Sequence, residues 1–323
     1  MKSINIANSL VSVVMPTYNH GIFVGKAIES VLNQTYKNFE LIIIDNYSED
    51  DTKKIVLGYE DVRIKYLKFR NKGIIAASRN HGIEHSHGEY VAFLDSDDIW
   101  LPEKLDMQVC HFEDKEVVAV SSKVLLNRGG MISRRFISIK NKYTDYGFRD
   151  FLFRNWAACS STIVRKDILL NLKGFDERKE FLYIEDWELW LRVAQKGKFR
   201  VLEEPLVFYL VSDVKKWKEI ELTKRHFYVL EKHVREISNS DINEAKAKIT
   251  FLIAFKLILM FDPKSREYFA KALKYPSNMR TKLKISIGYF CSILPMGFLK
   301  VAPILFYRLR PLTYTSKKTD YEI

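Results

Sequence analysis

The segment Gly88-Glu89-Tyr90-Val91-Ala92-Phe93-Leu94-Asp95-Ser96-Asp97-Asp98 is an apolar run that ends in three carboxylates within four positions. Like charges this close repel unless a cation or a proton intervenes. In open α/β sheets ligands sit beyond the carboxyl ends of the strands, so the cluster stands where a divalent metal and its phosphate ligand are expected. The donors are hard oxygens with no His or Cys among them, which favours Mg²⁺ or Mn²⁺ shared with substrate phosphates. The competing reading is that these acids cap a helix starting near Pro102. The chain has neither a GxxxxGK[ST] loop nor a GxGxxG turn, so a metal-borne diphosphate is the mode of phosphate binding that remains.

Two further acidic sites accompany it. Asp45 closes the apolar run 41–44 as Asp95 closes its own, placing a carboxylate on the same sheet edge where it could accept hydrogen bonds from a base or a ribose. A plain turn at Asp45-Asn46-Tyr47-Ser48 explains it equally well. In Glu185-Asp186-Trp187-Glu188-Leu189-Trp190-Leu191-Arg192, residues Trp187, Trp190, Leu191 and Ala194 recur at helical spacing and form a buried stripe. Glu185 and Asp186 then stand at the helix N-terminus. They either complement the macrodipole or supply a general base, held on a rigid element, for a nucleophilic hydroxyl. His81, His85 and His87 lack HExxH spacing or a nearby cysteine and read as a solvated helix end. Ser160-Ser161 has no GxSxG around it, which leaves serine hydrolase chemistry unsupported.

Through residue 125 apolar runs alternate with amphipathic stretches, the pattern of β/α units around a largely parallel sheet. Strands are expected at 11–15, 41–44, 62–67, 90–94, 117–120 and 161–164. Helices are expected at 23–32, 51–59, 74–84, 102–112 with Pro102 near its start, and 186–195, the last stopped by Gly197. After Pro205 the pattern becomes helical and basic. The net charge of +12 is concentrated there: residues 1–209 carry 30 Lys and Arg against 29 Asp and Glu, residues 210–323 carry 22 against 11. Cys110, Cys159 and Cys291 are odd in number and widely spaced, which argues against a disulfide framework and for a reducing compartment. Residues 11–15 are too short an apolar run for a signal peptide or a membrane span.

In this order and at these distances the motifs resemble the family 2 inverting glycosyltransferases of the GT-A fold, from about Val11 to Tyr209. The pieces are Val11 through Pro16-Thr17-Tyr18-Asn19, Glu29-Ser30-Val31-Leu32-Asn33-Gln34-Thr35-Tyr36, and Asp45 to Thr52. Asn71-Lys72-Gly73 with Ala77-Ser78-Arg79-Asn80, the Gly88 to Asp98 strand, Gly174-Phe175-Asp176-Glu177 and Glu185-Asp186-Trp187 complete the series. The resemblance implies an α/β nucleotide-diphospho-sugar transferase fold, with a mixed, mainly parallel sheet flanked by helices and a helical basic C-terminal extension. It implies that Thr17, Tyr18 and Asn19 line the nucleotide pocket with Asn46 and Ser96, that Asp45 faces the base and that Arg79 lies beside the nucleotide. Asp97 becomes the direct metal ligand with Asp95 nearer the ribose. Asp186 becomes the catalytic base, with Glu185 and Trp187 on the acceptor side.

Two positions depart from the family's pattern. Asn46 stands where relatives often carry Asp, which leaves the choice among UDP, dTDP and GDP sugars open. After Tyr209 the chain reads Leu210-Val211-Ser212 where relatives place Arg and His near the diphosphate, and Lys215 or Lys216 are the expected substitutes. The apolar segment 285–309, broken by Pro295, Lys300 and Pro303 and flanked by Arg280, Lys282, Lys284, Arg308 and Arg310, reads as two short interfacial helices meeting anionic lipid, or else as a buried hairpin. The expected division is therefore a catalytic domain over 1–209 and a basic helical region over 210–323 that binds a membrane surface. The expected acceptor is a polyprenyl-diphosphate-linked glycan in O-antigen, capsule or exopolysaccharide synthesis, and the expected place the cytoplasmic face of the cell membrane. The alternatives are a metal-dependent nucleotidyltransferase, which lacks its N-terminal phosphate-gripping loop here, and a non-catalytic sugar-nucleotide or membrane scaffold. Nucleic acid is not an expected partner, because the basic tail is interleaved with Phe251, Leu252, Phe255 and Tyr289 rather than with base-reading polar residues.

Overall fold

The computed structural model of the chain describes residues 9–127, 142–210, 216–260 and 262–293. These fall into two units, one of residues 9–127, 142–151 and 155–210 and one of residues 152–154, 216–260 and 262–293.

The first unit is built on β1 (Val11–Thr17), α1 (Gly21–Leu32), β2 (Phe39–Asp45), α2 (Thr52–Leu57), β3 (Ile64–Lys68), α3 (Ile75–Glu84) and β4 (Tyr90–Phe93). It continues through β5 (Ile99–Trp100), α4 (Lys104–Val109), β6 (Val117–Asn127), β7 (Tyr143–Tyr146), α5 (Phe148–Phe153, whose last two residues fall in the second unit), β8 (Ile163–Arg165), α6 (Lys166–Asn171), α7 (Glu185–Ala194) and β9 (Lys198–Leu210). The strands form one mixed sheet in the order β3-β2-β1-β4-β8-β6-β9-β5, with β7 pairing β9. The β3-β2-β1-β4 half is parallel, β8 runs antiparallel to both β4 and β6, and β6 and β9 are parallel. Every residue of β1, β2 and β4 is buried, as expected of central parallel strands covered on both faces. Val11, Val13, Met15, Leu41, Ile43, Tyr90 and Ala92 pack with Val24, Ile28 and Val31 of α1 into the main core.

Several elements differ from the sequence expectation. The strand β9 continues through Pro205 to Leu210, so the chain is not yet helical there. Pro205 faces Lys123 of β6 at a shift in register, where a missing N–H leaves no ladder bond unmade. α4 begins at Lys104, with Pro102 outside it, and passes into a 3-10 turn at Cys110–Glu113. Residues Cys159–Ser161 likewise form a 3-10 turn ahead of β8.

The second unit is helical: α8 (Lys216–Lys232), α9 (Asn239–Leu259), α10 (Lys264–Lys274) and α11 (Met279–Ile293). Ala247, Phe251, Ala254 and Ile258 of α9 pack against Phe269, Ala272, Ile285 and Cys291. The start of the segment expected to be interfacial is therefore split: Ile285 and Cys291 are core, while Phe290 is exposed. Just before it on α11, Lys284 is buried and Met279 and Leu283 are exposed. The rest of it, with Pro295, Lys300, Pro303, Arg308 and Arg310, lies outside the described residues. No described helix is long and apolar enough to cross a membrane.

One close approach sets the entry into β4. A Cβ on Gly88 would stand 2.5 Å from Leu10 O, 2.7 Å from Ser12 N and 2.9 Å from Ser12 Oγ, and the Gly88 N–H donates to Ser12 Oγ at 2.8 Å. The obstacles are mostly backbone, so Gly88→Ala must push β4 away from β1. The expected result is a loss of about 1–3 kcal/mol in urea unfolding, and an unchanged midpoint would show that the two strands tolerate more separation than this packing allows.

Candidate active site

Because β1 lies between β2 and β4, the carboxyl ends of three strands place Thr17, Asp45 and Asp95 along one edge. Thr17 pairs with Asp45 across the β1–β2 ladder. Its side chain is buried, and its hydroxyl has no bond among the described residues. Tyr18 is half exposed. Asn19 has a left-handed backbone with φ 51°, a conformation Asn tolerates better than most residues. Its N–H donates to Ser48 Oγ at 2.9 Å and its side-chain oxygen accepts from Glu49 N at 2.8 Å. The next residue, His20, stands with Nδ1 2.8 Å from the hydroxyl of buried Ser96, so the loop after β1 is tied to the acidic loop after β4. The sequence reading passed over His20; its place directly after Thr17-Tyr18-Asn19 was the available signal.

In the acidic loop the three carboxylates have different surroundings. Asp95 accepts from Arg79 Nη2 at 2.7 Å, and its N–H donates to Ser160 Oγ at 3.0 Å. Asp97 is pushed up by burial and by the Asp95 charge, opposed by His20. Asp98 is buried; burial and Asp95 push it well up, while Leu210 N donates to its Oδ1 at 2.8 Å. Asp98 thus fastens the end of β9 to this loop and does not cap α4, whose N-cap is Glu103. A half-buried carboxylate destabilised by an acidic neighbour, with oxygen donors only, fits a hard divalent cation at Asp97 with Asp95 beside it.

Arg79 lies on α3 and is buried. Its guanidinium donates to Asp95 Oδ1 and to Glu185 Oε1, both at 2.7 Å, and lies 5.5 Å from the centre of the Phe175 ring. Burial opposes its charge, but Asp95 and Glu185 prevail and hold it well above the usual range. The adjacent Asn80 clasps Phe175, accepting from its N–H at 2.8 Å and donating to its carbonyl at 3.0 Å. Gly174 makes this possible: its φ is 64°, and a Cβ there would stand 2.2 Å from Asn80 Oδ1.

On α7, burial and Glu185 raise Asp186 to about 7, against Arg79, the Trp187 N–H and Asn155. Trp187 N donates to its Oδ1 at 2.6 Å and Asn155 Nδ2 to its Oδ2 at 3.2 Å. Of the two residues expected on the acceptor side, Glu185 is buried with its carboxylate on Arg79, and Trp187 is buried with its indole N–H on Phe151 O at 2.6 Å. Asn155 was not foreseen, since it follows the irregular stretch after α5 and carries no motif.

Asp45 is fully buried. Its Oδ1 accepts from the N–H and hydroxyl of Ser48, and its Oδ2 accepts from the Tyr66 hydroxyl at 2.5 Å. The turn-forming hydrogen bonds of Asp45 are therefore present. Asn46 Oδ1 accepts from Asn71 N at 3.1 Å, and Asn71 Nδ2 donates to Ser78 Oγ at 2.9 Å, linking the loop after β2 to α3. Lys215 lies outside the described residues, and Lys216 opens α8 in the second unit.

The family described as Glycosyl transferase family 2 matches residues 12–168. The UDP-Glc:alpha-D-GlcNAc-diphosphoundecaprenol beta-1,3-glucosyltransferase WfgD of Escherichia coli is 34% identical over 194 residues, 60% of this chain and 73% of that protein. WfaP, a UDP-Glc:alpha-D-GlcNAc-diphosphoundecaprenol beta-1,3-glucosyltransferase of the same organism, is 34% identical over 190 residues, 58% of this chain and 71% of its own length. Among solved structures, S. aureus TarS 1–349 in complex with UDP-GlcNAc aligns with TM-score 0.60 at 18% identity, over 87% of this chain and 90% of that one. The mannosyltransferase PcManGT of Pyrobaculum calidifontis, in complex with GDP-Man and Mn²⁺, aligns with TM-score 0.56 at 19% identity, over 91% and 86%. The fold is that of the GT-A transferases, and the chain belongs to glycosyl transferase family 2 and is a glycosyltransferase.

Proposed function

We propose that the enzyme moves a sugar from a uridine diphosphate donor, with inversion, to a hydroxyl of a glycan carried on a polyprenyl diphosphate, in the assembly of a bacterial surface polysaccharide. The observation that carries the reading is Asp186, a carboxylate raised to about 7 on a buried helix and joined through Glu185 and Arg79 to the Asp95 loop. A base poised near neutral pH combines a populated deprotonated form with enough basicity to take a hydroxyl proton. The relatives WfgD and WfaP support the donor and the lipid-linked acceptor.

In this reading Asp186 accepts the proton of the acceptor hydroxyl while that oxygen attacks the anomeric carbon from the face opposite the diphosphate. One C–O bond forms, the bond to the diphosphate breaks, and the nucleoside diphosphate leaves. A single displacement inverts the centre and needs no carboxylate nucleophile. Trp187 N–H and Asn155 hold the carboxylate so that no reorientation is needed at the moment of transfer. A divalent cation held by Asp97, with Asp95 beside it, would stabilise charge on the departing diphosphate. Thr17, Tyr18, Asn19, Asn46 and Ser96 form the wall assigned to the nucleotide, with Asp45 shaping it from within.

The membrane is the proposed partner of the second unit. Met279, Leu283 and Phe290 expose apolar side chains on α11, spaced by four and seven residues, with Arg280 and Lys282 exposed beside them. Residues at such spacing share one helix face, and apolar residues flanked by basic ones suit an anionic lipid surface. In this reading the enzyme works at the cytoplasmic face of the membrane, beside a lipid-linked acceptor.

Four outcomes are expected. Asp186→Asn lowers turnover about 10²- to 10⁴-fold with nucleotide affinity unchanged. Because the base must be deprotonated and its carboxyl is raised, wild-type kcat/KM falls as pH drops through about 7; a flat profile from pH 5 to 8 would remove Asp186 as the base. In calorimetry with UDP, dTDP and GDP, UDP binds with Mn²⁺ present and Asp97→Ala abolishes the metal dependence; metal-independent binding in the wild type contradicts the cation site, and a preference for dTDP or GDP contradicts the donor. The double variant Leu283→Glu, Phe290→Glu sediments less with phosphatidylglycerol vesicles than the wild type, and equal sedimentation excludes this face of α11.

A further inference from the structure

The last turn of α3 gathers His81, Glu84 and His85, and one potential ligand atom from each lies within 4.8 Å of the others. The segment reads His81-Gly82-Ile83-Glu84-His85, which sets two imidazoles at i and i+4 with a carboxylate between them on one helix face. Imidazoles at that spacing are how a helix presents two nitrogen ligands to a single cation. The expectation of a solvated helix end did not include Glu84 or the way both rings are held.

Each ring is fixed by its neighbours. His81 stacks on Phe69 with centroids 4.3 Å apart, and its Nδ1 is 3.9 Å from Glu84 Oε2. The two imidazole centroids are 4.2 Å apart. His85 Nδ1 lies 2.8 Å from the His81 backbone carbonyl. A carbonyl only accepts, so this Nδ1 carries the proton and the lone pair of His85 is on Nε2. An imidazole that gives one N–H to a backbone carbonyl and turns its other nitrogen outward is the arrangement that orients metal-bound histidines. His85 and Glu84 are exposed, so a fourth position is open to water.

We propose that His81, Glu84 and His85 form a surface site for a first-row transition dication of the Zn²⁺ type, separate from the oxygen site at Asp97. Two nitrogens and one carboxylate suit Zn²⁺, whereas Mg²⁺ and Mn²⁺ prefer oxygen donors. Arg79 and Asn80 directly precede His81, so a cation here braces the helix that carries the bridge between Asp95 and Glu185.

The test uses the full chain without a histidine tag, in saturating Mg²⁺ to fill oxygen sites. It is titrated with ZnCl₂ by calorimetry and with CoCl₂ by visible absorption, with circular dichroism to show that each variant is folded. The expected result is one tight Zn²⁺ per chain, kept in Asp97→Ala and His87→Ala and weakened about tenfold or more in His85→Ala and in Glu84→Gln. Affinity unchanged in folded His85→Ala, absence of Zn²⁺ binding in the wild type, or a Co²⁺ thiolate charge-transfer band that puts the ion on exposed Cys110 would each overturn the site.

Discussion

The Arg79 guanidinium donates to Asp95 Oδ1 and Glu185 Oε1 at 2.7 Å each, and so fixes the loop that follows β4 against the first turn of α7. Neither acid is adjacent to Arg79 in sequence, and Glu185 is joined by one peptide bond to Asp186. Breaking a buried charge pair by removing one partner costs about 3–5 kcal/mol, and this arginine serves two partners. The relative position of the Asp95 loop and Asp186 is therefore set by rigid, charge-assisted bonds. In the proposed reaction these join the donor side to the base before any sugar nucleotide binds.

The same bridge acts on Asp186. Burial and the Glu185 carboxylate raise it to about 7, and Arg79 pulls it down. If Glu185 faced solvent, its charge would be screened and Arg79 would act on Asp186 with less opposition. The Phe175 ring near the guanidinium and Asn80 on the Phe175 backbone tie the Gly174-Phe175 turn to α3, the helix that carries Arg79.

Much of this was readable from the chain. β1, β2 and β4 are buried on both faces and so appear as unbroken apolar runs, and the carboxylates closing two of them announce the sheet edge. The stripe Trp187, Trp190, Leu191 and Ala194 located α7 to within a residue. What could not be read depends on contacts distant in sequence. Pro205 argued against a strand because a single chain does not show the register shift opposite Lys123 that admits it. No spacing along the chain shows that Glu185 meets Arg79, 106 residues away, or that the Trp187 indole meets Phe151 O. The bonds of Asp45 to Ser48 follow from a local turn, whereas its bond to Tyr66 does not. Membership of the transferase family sets aside the nucleotidyltransferase and scaffold alternatives.

Asp98 shows how a motif position can carry order instead of ligand binding. It looked like a third member of the metal cluster, yet its buried carboxylate accepts from Leu210 N, 112 residues away. That bond fastens the last residue of β9 to the acidic loop. Neighbouring acids of one loop therefore meet different surroundings: Asp97 keeps a partly exposed carboxylate, while Asp98 uses its own to hold a strand end.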